Sequence, residues 1–168
     1  MSPLVLAISY FFHLLATVVW LGGLAILTIL VHPAAKRTLN EHPSVYTFLN
    51  QLRKRFVPLA NFSLAVLITS GMIQMAGDEN YLGVLDFSNG WSVAMLLKHI
   101  AVAGMAICSL TIQYGVAPAL ERTGLLIARG KPEPEEWERL QRREQQLTWA
   151  NNVLGIMVLV FTAYMTAL

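Results

Sequence analysis

The feature that most limits the fold of this chain is its first apolar run, which extends from Leu4 to Val31 without a single Asp, Glu, Lys or Arg. About 20 such residues are enough for a helix to cross the hydrocarbon core of a bilayer. Further apolar runs follow at about residues 57–76, 91–120 and 147–168. The sequence therefore predicts an all-α membrane protein with transmembrane spans at about residues 4–31, 57–76, 91–120 and 147–168.

The composition agrees with a membrane protein and argues against a nucleic-acid partner. Hydrophobic residues make up 55% of the chain and charged residues 13%, with a net charge of +2. A soluble domain averages about 25% charged residues. Four spans joined by short loops favour an up-down-up-down four-helix bundle. We expect residues 1–168 to form one integral membrane domain.

The loops predict how the chain is oriented. The first and third loops contain nearly all the Lys and Arg, whereas the second loop, from Gly77 to Gly90, contains none. The positive-inside rule places the basic loops in the cytoplasm and both termini on the periplasmic or extracellular side. Within the first loop, apolar residues recur at helical spacing and predict an amphipathic helix at the membrane surface: Val45, Phe48, Leu49, Leu52 and Phe56. We expect a position in the bacterial inner membrane.

Two histidines lie deep inside predicted spans, where an ionisable group is costly and suggests a functional site. His13 is about nine residues from the outer start of the first span, and His99 is about eight residues from the outer start of the third. Both spans run from outside to inside. At about 1.5 Å per residue, the two imidazoles are expected at one depth, roughly 12–14 Å below the outer ends of their helices.

Two imidazoles at one level suit the axial ligation of a b-type haem, which is our leading interpretation. In it, His13 and His99 bind the iron, and the neighbouring Lys98 reaches toward a haem propionate. Trp20 follows His13 by two helical turns and is expected to pack against the porphyrin. The glycines Gly22 and Gly23 would let a bulky cofactor or another helix approach the backbone.

Other interpretations of the same residues remain open. The histidines can simply hydrogen-bond neighbouring helices. Thioethers and imidazoles suit Cu(I), so a copper site could combine His13 and His99 with methionines near the outer helix ends: Met72, Met75, Met95 and Met165. His32 and His42 flank prolines near the inner surface, where we expect water contact or, alternatively, a second metal site.

The histidine followed seven residues later by Trp20-Leu21-Gly22-Gly23, with Lys98 in a later helix, resembles the copper-resistance protein D family of bacterial membrane proteins. It is also similar to the four-helix membrane protoporphyrinogen oxidases of bacteria. The residues that match are His13, Trp20, Gly22, Gly23 and Lys98. The resemblance implies haem b between transmembrane helices for the oxidase branch and copper handling for the other branch.

Three functions follow from these observations. The first is a haem b protein with two histidine ligands that transfers electrons or acts as an oxidoreductase, with a quinol, a porphyrinogen or a partner redox subunit as donor. The second is copper binding or transport of the copper-resistance D type. The third is a structural membrane subunit without a cofactor. We expect a homo-oligomer or a subunit of a complex; the sequence identifies no catalytic residue.

Overall fold

The computed structural model of the protein describes residues 2–38, 43–81, 83, 89–129 and 134–167. In this part of the chain all regular structure is helical. The α-helices are α1 (Pro3–Thr17), α2 (Gly23–Ala25), α3 (His32–Thr38), α4 (Pro43–Gly77), α5 (Gly90–Leu110), α6 (Ala117–Ala128) and α7 (Pro134–Ala167). Three wider π-helical segments continue them at Val18–Gly22, Ile26–Val31 and Thr111–Val116.

Within the described residues, four continuous helical stretches are long and apolar enough to cross a membrane, as the sequence predicted. They are Pro3–Ala35, Phe48–Gly77, Gly90–Ile127 and Glu135–Ala167. Each stretch is longer than its prediction because helical hydrogen bonding continues into the polar flanks, where hydropathy gives no signal. The protein is therefore a multi-pass membrane protein.

The first loop contains the helix that its sequence predicted, and this helix leads directly into the second span. The segment predicted as a surface helix, from Val45 to Phe56, belongs to the same 35-residue helix α4 as the second span. Its place at the membrane surface, the bundle order and the side of the termini remain predictions. His42 lies outside the described residues. Helix α7 begins at Pro134, as expected from the favourable position of proline in a first turn.

Residues 1–93 form one compact unit, in which α1 packs antiparallel to α4. Leu6 lies against Gly77, near the end of α4, and His13 lies against Gly71. The antiparallel order continues beyond α1, where Gly23 meets the ring of Phe56. A Cβ added at Gly77 would come within 2.8 Å of Leu6 Cδ2, so glycine allows the close approach there.

Residues 94–168 form a second compact unit, in which α7 packs antiparallel to the third span. Its apolar centre contains Val116, Leu120 and Leu140, joined by partly buried Ala119, Trp137 and Leu147. In the same unit, Asn151 is 1% exposed and its Nδ2 donates to Ser109 Oγ at 3.0 Å. This interhelical bond ties the third and fourth spans together.

Proline explains where the third span changes its winding. The π-helical segment Thr111–Val116 directly precedes the first turn of α6, which contains Pro118. Proline has no N–H to offer the carbonyl four residues before it, and its ring clashes with that carbonyl. A locally wider turn accommodates the proline without ending the helix, which continues to Ala128.

Candidate metal-binding residues

His13 is held by a side chain from the other helix of its unit. Its Nδ1 lies 2.8 Å from Ser70 Oγ, and Ser70 Oγ lies 2.6 Å from the carbonyl oxygen of Val66. A serine hydroxyl has one hydrogen, and a carbonyl can only accept. Ser70 therefore donates to Val66 and accepts from His13, so Nδ1 carries the imidazole hydrogen. The lone pair of the ring is then on Nε2.

Two further polar residues support this contact. Ser9 is 5% exposed, and its hydroxyl donates to the carbonyl oxygen of Ser70 at 3.0 Å. Gln74 Nε2 donates to the carbonyl oxygen of Ser9 at 3.3 Å and lies 3.5 Å from Ser9 Oγ. Both Ser9 and Ser70 are buried between apolar helices, so each hydrogen bond also fixes how α1 sits on α4.

Neither Ser9 nor Ser70 was predicted from the sequence as part of the candidate site. Ser9 and His13 are four residues apart on α1, and Ser70 and Gln74 are four residues apart on α4. Residues at this spacing share a helix face, so two matched polar pairs in otherwise apolar spans were a usable signal. What the sequence lacks is the register that brings the two faces together.

Two methionines of α4, Met72 and Met75, are close in sequence to Gly71, which His13 contacts. A Cβ added at Gly71 would lie 3.5 Å from His13 Cε1, so the ring rests on the backbone of α4. Met75 follows Gly71 by one turn and is half-buried, whereas Met72 is 61% exposed. Of the two thioethers, Met75 is placed on the Gly71 side of the helix.

Trp20 and Gly23 are used for packing in the first unit, whereas Gly22 is not. Trp20 is 4% exposed and lies in the π-helical segment Val18–Gly22. A Cβ added at Gly23 would overlap the ring of Phe56, whereas one at Gly22 would meet open space. Gly23 thus serves the close helix approach that the sequence suggested. That Gly23 also lets a cofactor approach the backbone stays a prediction.

His99 is held in a different way, by its own helix. It is exposed on α5, and its Nδ1 lies 2.7 Å from the carbonyl oxygen of Met95, four residues earlier. Because a carbonyl can only accept, Nδ1 again carries the hydrogen and Nε2 the lone pair. The side chain of Met95 is 4% exposed. Both histidines therefore have the same tautomer.

Lys98 is half-buried, and no hydrogen bond or ion pair joins its ammonium group to another described residue. His13 lies in the first unit, and Lys98 and His99 lie in the second. Ligation of one iron by both histidines therefore stays a prediction, as does the propionate role of Lys98. His32 has a partner in the structure and is half-buried.

The described residues contain no group of three or more His, Cys, Asp or Glu side chains that could hold a metal ion. A metal bound by the imidazole of His13 or His99 would therefore need further ligands from outside such a group. Thioethers are the donors that the spans offer in quantity, and they favour Cu(I) over harder metals.

Comparison with known proteins gives one match. Residues 50–165 match the family model described as copper resistance protein D. No curated protein and no solved structure matches the chain. The matched range covers most of the chain and includes His99, Lys98 and the methionines of α4, but it leaves out His13 and Trp20. The chain belongs to the copper resistance protein D family.

Proposed function

We propose that the protein binds copper as a cargo ion in the bacterial inner membrane, with His13 as an imidazole ligand in the first unit and His99 as an imidazole ligand in the second. The observation that carries the proposal is the tautomer shared by both rings. A histidine that ligates a metal almost always donates its other ring N–H to a carbonyl, a carboxylate or water, which fixes its orientation. Here Ser70 and the Met95 carbonyl accept from Nδ1, and copper would bind at Nε2 of each ring.

The methionine thioethers indicate which oxidation state of copper the protein would bind. Cu(I) is soft and binds imidazole and thioether well. Met75 beside the Gly71 contact and Met72 at the surface of α4 are the methionines closest in sequence to the residues that touch His13. Met95 is one turn from His99 on α5. We therefore propose Cu(I) as the bound form.

The basic residues support an orientation with both termini outside. Arg53, Lys54 and Arg55 precede the apolar part of α4, and Arg139, Arg142 and Arg143 precede that of α7. These two ends are cytoplasmic by the positive-inside rule. His13 and His99 then lie toward the outer side, where copper would enter the membrane part of the protein.

Family membership favours copper over the haem interpretation, because nothing in the structure or the match supports haem b. The test is to purify the full chain in detergent without oxygen, titrate it with Cu(I) against a chromophoric chelator, and record its absorption spectrum. We expect bound copper and no split low-spin haem band. A purified protein that holds haem and releases Cu(I) to the chelator would overturn the proposal.

A further inference from the structure

We propose that the basic cluster of the first unit, formed by Arg53, Lys54 and Arg55 of α4, binds the headgroups of anionic phospholipids. Lys54 and Arg55 are exposed. Arg53 is half-buried, and its Nη2 donates to Asn50 Oδ1 at 2.5 Å. Because successive residues of a helix point about 100° apart, the three cations cover most of the circumference of α4 at one level.

The length of α4 places the basic cluster at the edge of the hydrocarbon. Arg55 precedes Gly77, where α4 ends, by about 22 residues, which is a rise of about 33 Å at about 1.5 Å per residue. The hydrocarbon core of a bilayer is about 30 Å thick. When the Gly77 end of α4 lies at one surface of the bilayer, the basic cluster lies at the level of the lipid phosphates of the opposite leaflet.

Exposed apolar side chains lie on both sides of the basic cluster along the helix axis. On α4, Phe62 is 69% exposed on the hydrocarbon side, and Phe48 is 49% exposed on the other side. The first span adds Leu30 at 61% exposure, and it runs past this part of α4 because Gly23 already meets Phe56. Cations set between apolar side chains are typical of a surface that lies in the headgroup region of a bilayer.

The acidic residues described in the first unit lie far from its basic cluster. They are Asp78 and Glu79, which follow the opposite end of α4. Each Lys or Arg at a membrane surface strengthens the attraction of anionic lipid by about 5-fold. A guanidinium group also matches the oxygens of a phosphate with two parallel hydrogen bonds. An anionic phospholipid therefore fits both the charge of the cluster and its apolar flanks.

The experiment compares the binding of phosphatidylglycerol and phosphatidylcholine to the full chain, freed of lipid in a nonionic detergent, by native mass spectrometry. We expect phosphatidylglycerol to bind more tightly. Lys54→Gln combined with Arg55→Gln should weaken the binding of phosphatidylglycerol by about 25-fold and leave that of phosphatidylcholine unchanged. Both substitutions are at exposed positions, so the variant should fold as the unmodified chain does.

The matched control is Arg139→Gln combined with Arg142→Gln in α7, which removes the same charge. Arg139 pairs with Glu136 at 2.6 Å and Arg142 with Glu138 at 3.3 Å, so each of these cations already has a carboxylate partner. The control should keep the affinity for phosphatidylglycerol. Equal affinities for the two lipids, or equal losses in the two double variants, would overturn the proposal. Displacement of phosphatidylglycerol by inorganic phosphate would also overturn it, because the cluster would then be a site for free anions.

Discussion

The two histidines of this protein are oriented by different means, one by another helix and one by its own. His13 of α1 donates to Ser70 of α4, and the buried Ser9 and half-buried Gln74 hold the same two helices in register. His99 donates to the carbonyl oxygen of Met95 in its own helix. The orientation of His13 therefore depends on tertiary packing, whereas that of His99 needs only an intact α5.

This difference predicts how each site responds to mutation. A site held by packing can be weakened from many positions, because any change that moves α1 along α4 also moves the imidazole. A site held by a backbone carbonyl has no orienting side chain to remove. The predictions that follow test this contrast.

The largest effect is expected from removal of each imidazole. His13→Ala and His99→Ala each delete a proposed donor atom, so the Cu(I) affinity of the corresponding unit should fall by more than about 100-fold, beyond the cost of losing a supporting hydrogen bond. Competition with a chromophoric Cu(I) chelator measures the loss. Unchanged affinity in either variant would contradict the ligand assignment for that histidine.

The next effect separates the two units. Ser70→Ala removes the acceptor that orients His13, so we expect the Cu(I) affinity of the first unit to fall by about 10–100-fold. This affinity is measured in a protein that also carries His99→Ala, so that copper at the second unit does not contribute. In a protein that carries His13→Ala instead of His99→Ala, adding Ser70→Ala should leave the Cu(I) affinity of the second unit unchanged.

Thr69→Val is the matched control for the serine variant. Thr69 also donates its hydroxyl to a carbonyl four residues earlier, at 2.9 Å, but it is exposed, whereas Ser70 is buried. The Cu(I) affinity of the Thr69→Val variant should equal that of the unmodified chain. Equal losses for Thr69→Val and Ser70→Ala would show that the hydroxyl acts on α4 and not on the imidazole.

A smaller effect is expected where glycine allows α4 to approach the first span. Gly23→Ala places a methyl group where the Phe56 ring lies, so the ring must shift, at a cost of about 1 kcal/mol in the free energy of unfolding. Gly22→Ala meets open space and should leave the thermal midpoint nearly unchanged. Equal midpoints for the two variants in detergent would argue against this close contact.

The smallest effect is expected from Gln74, which hydrogen-bonds Ser9. Gln74→Leu removes hydrogen bonds of 3.3 and 3.5 Å to Ser9, so the cost in stability should be near the lower end of the usual range, about 0.5 kcal/mol. Copper affinity should change less than with Ser70→Ala, because Ser70 still contacts the imidazole. A larger loss of affinity with Gln74→Leu would place Gln74 closer to the metal than we propose.

The sequence predicted the spans and the family but not the contacts that orient the histidines. Hydropathy locates His13 and His99 inside helices because both lie in long apolar runs. It does not reveal that His13 faces Ser70, since this depends on how α1 and α4 align over residues far apart in the chain. The bond from His99 to Met95 is local, so its spacing of four residues was visible in the sequence.

The family prediction was confirmed, although most of its evidence came from a part of the chain outside the match. His13, Trp20, Gly22 and Gly23 carried the resemblance, yet the family model covers residues 50–165. Within that range Lys98 was the only residue used for it. The helix of the first loop was predicted from apolar residues at helical spacing, and it continues into the second span as one helix. Its position at the membrane surface stays a prediction.

The most direct test of the copper site is X-ray absorption at the copper edge on the anaerobically loaded protein. We predict a Cu(I) edge with imidazole nitrogen scatterers, a sulfur contribution from methionine, and loss of imidazole scattering in the variant that combines His13→Ala with His99→Ala. A first shell of oxygen alone, or an imidazole signal that survives in this double variant, would contradict the account.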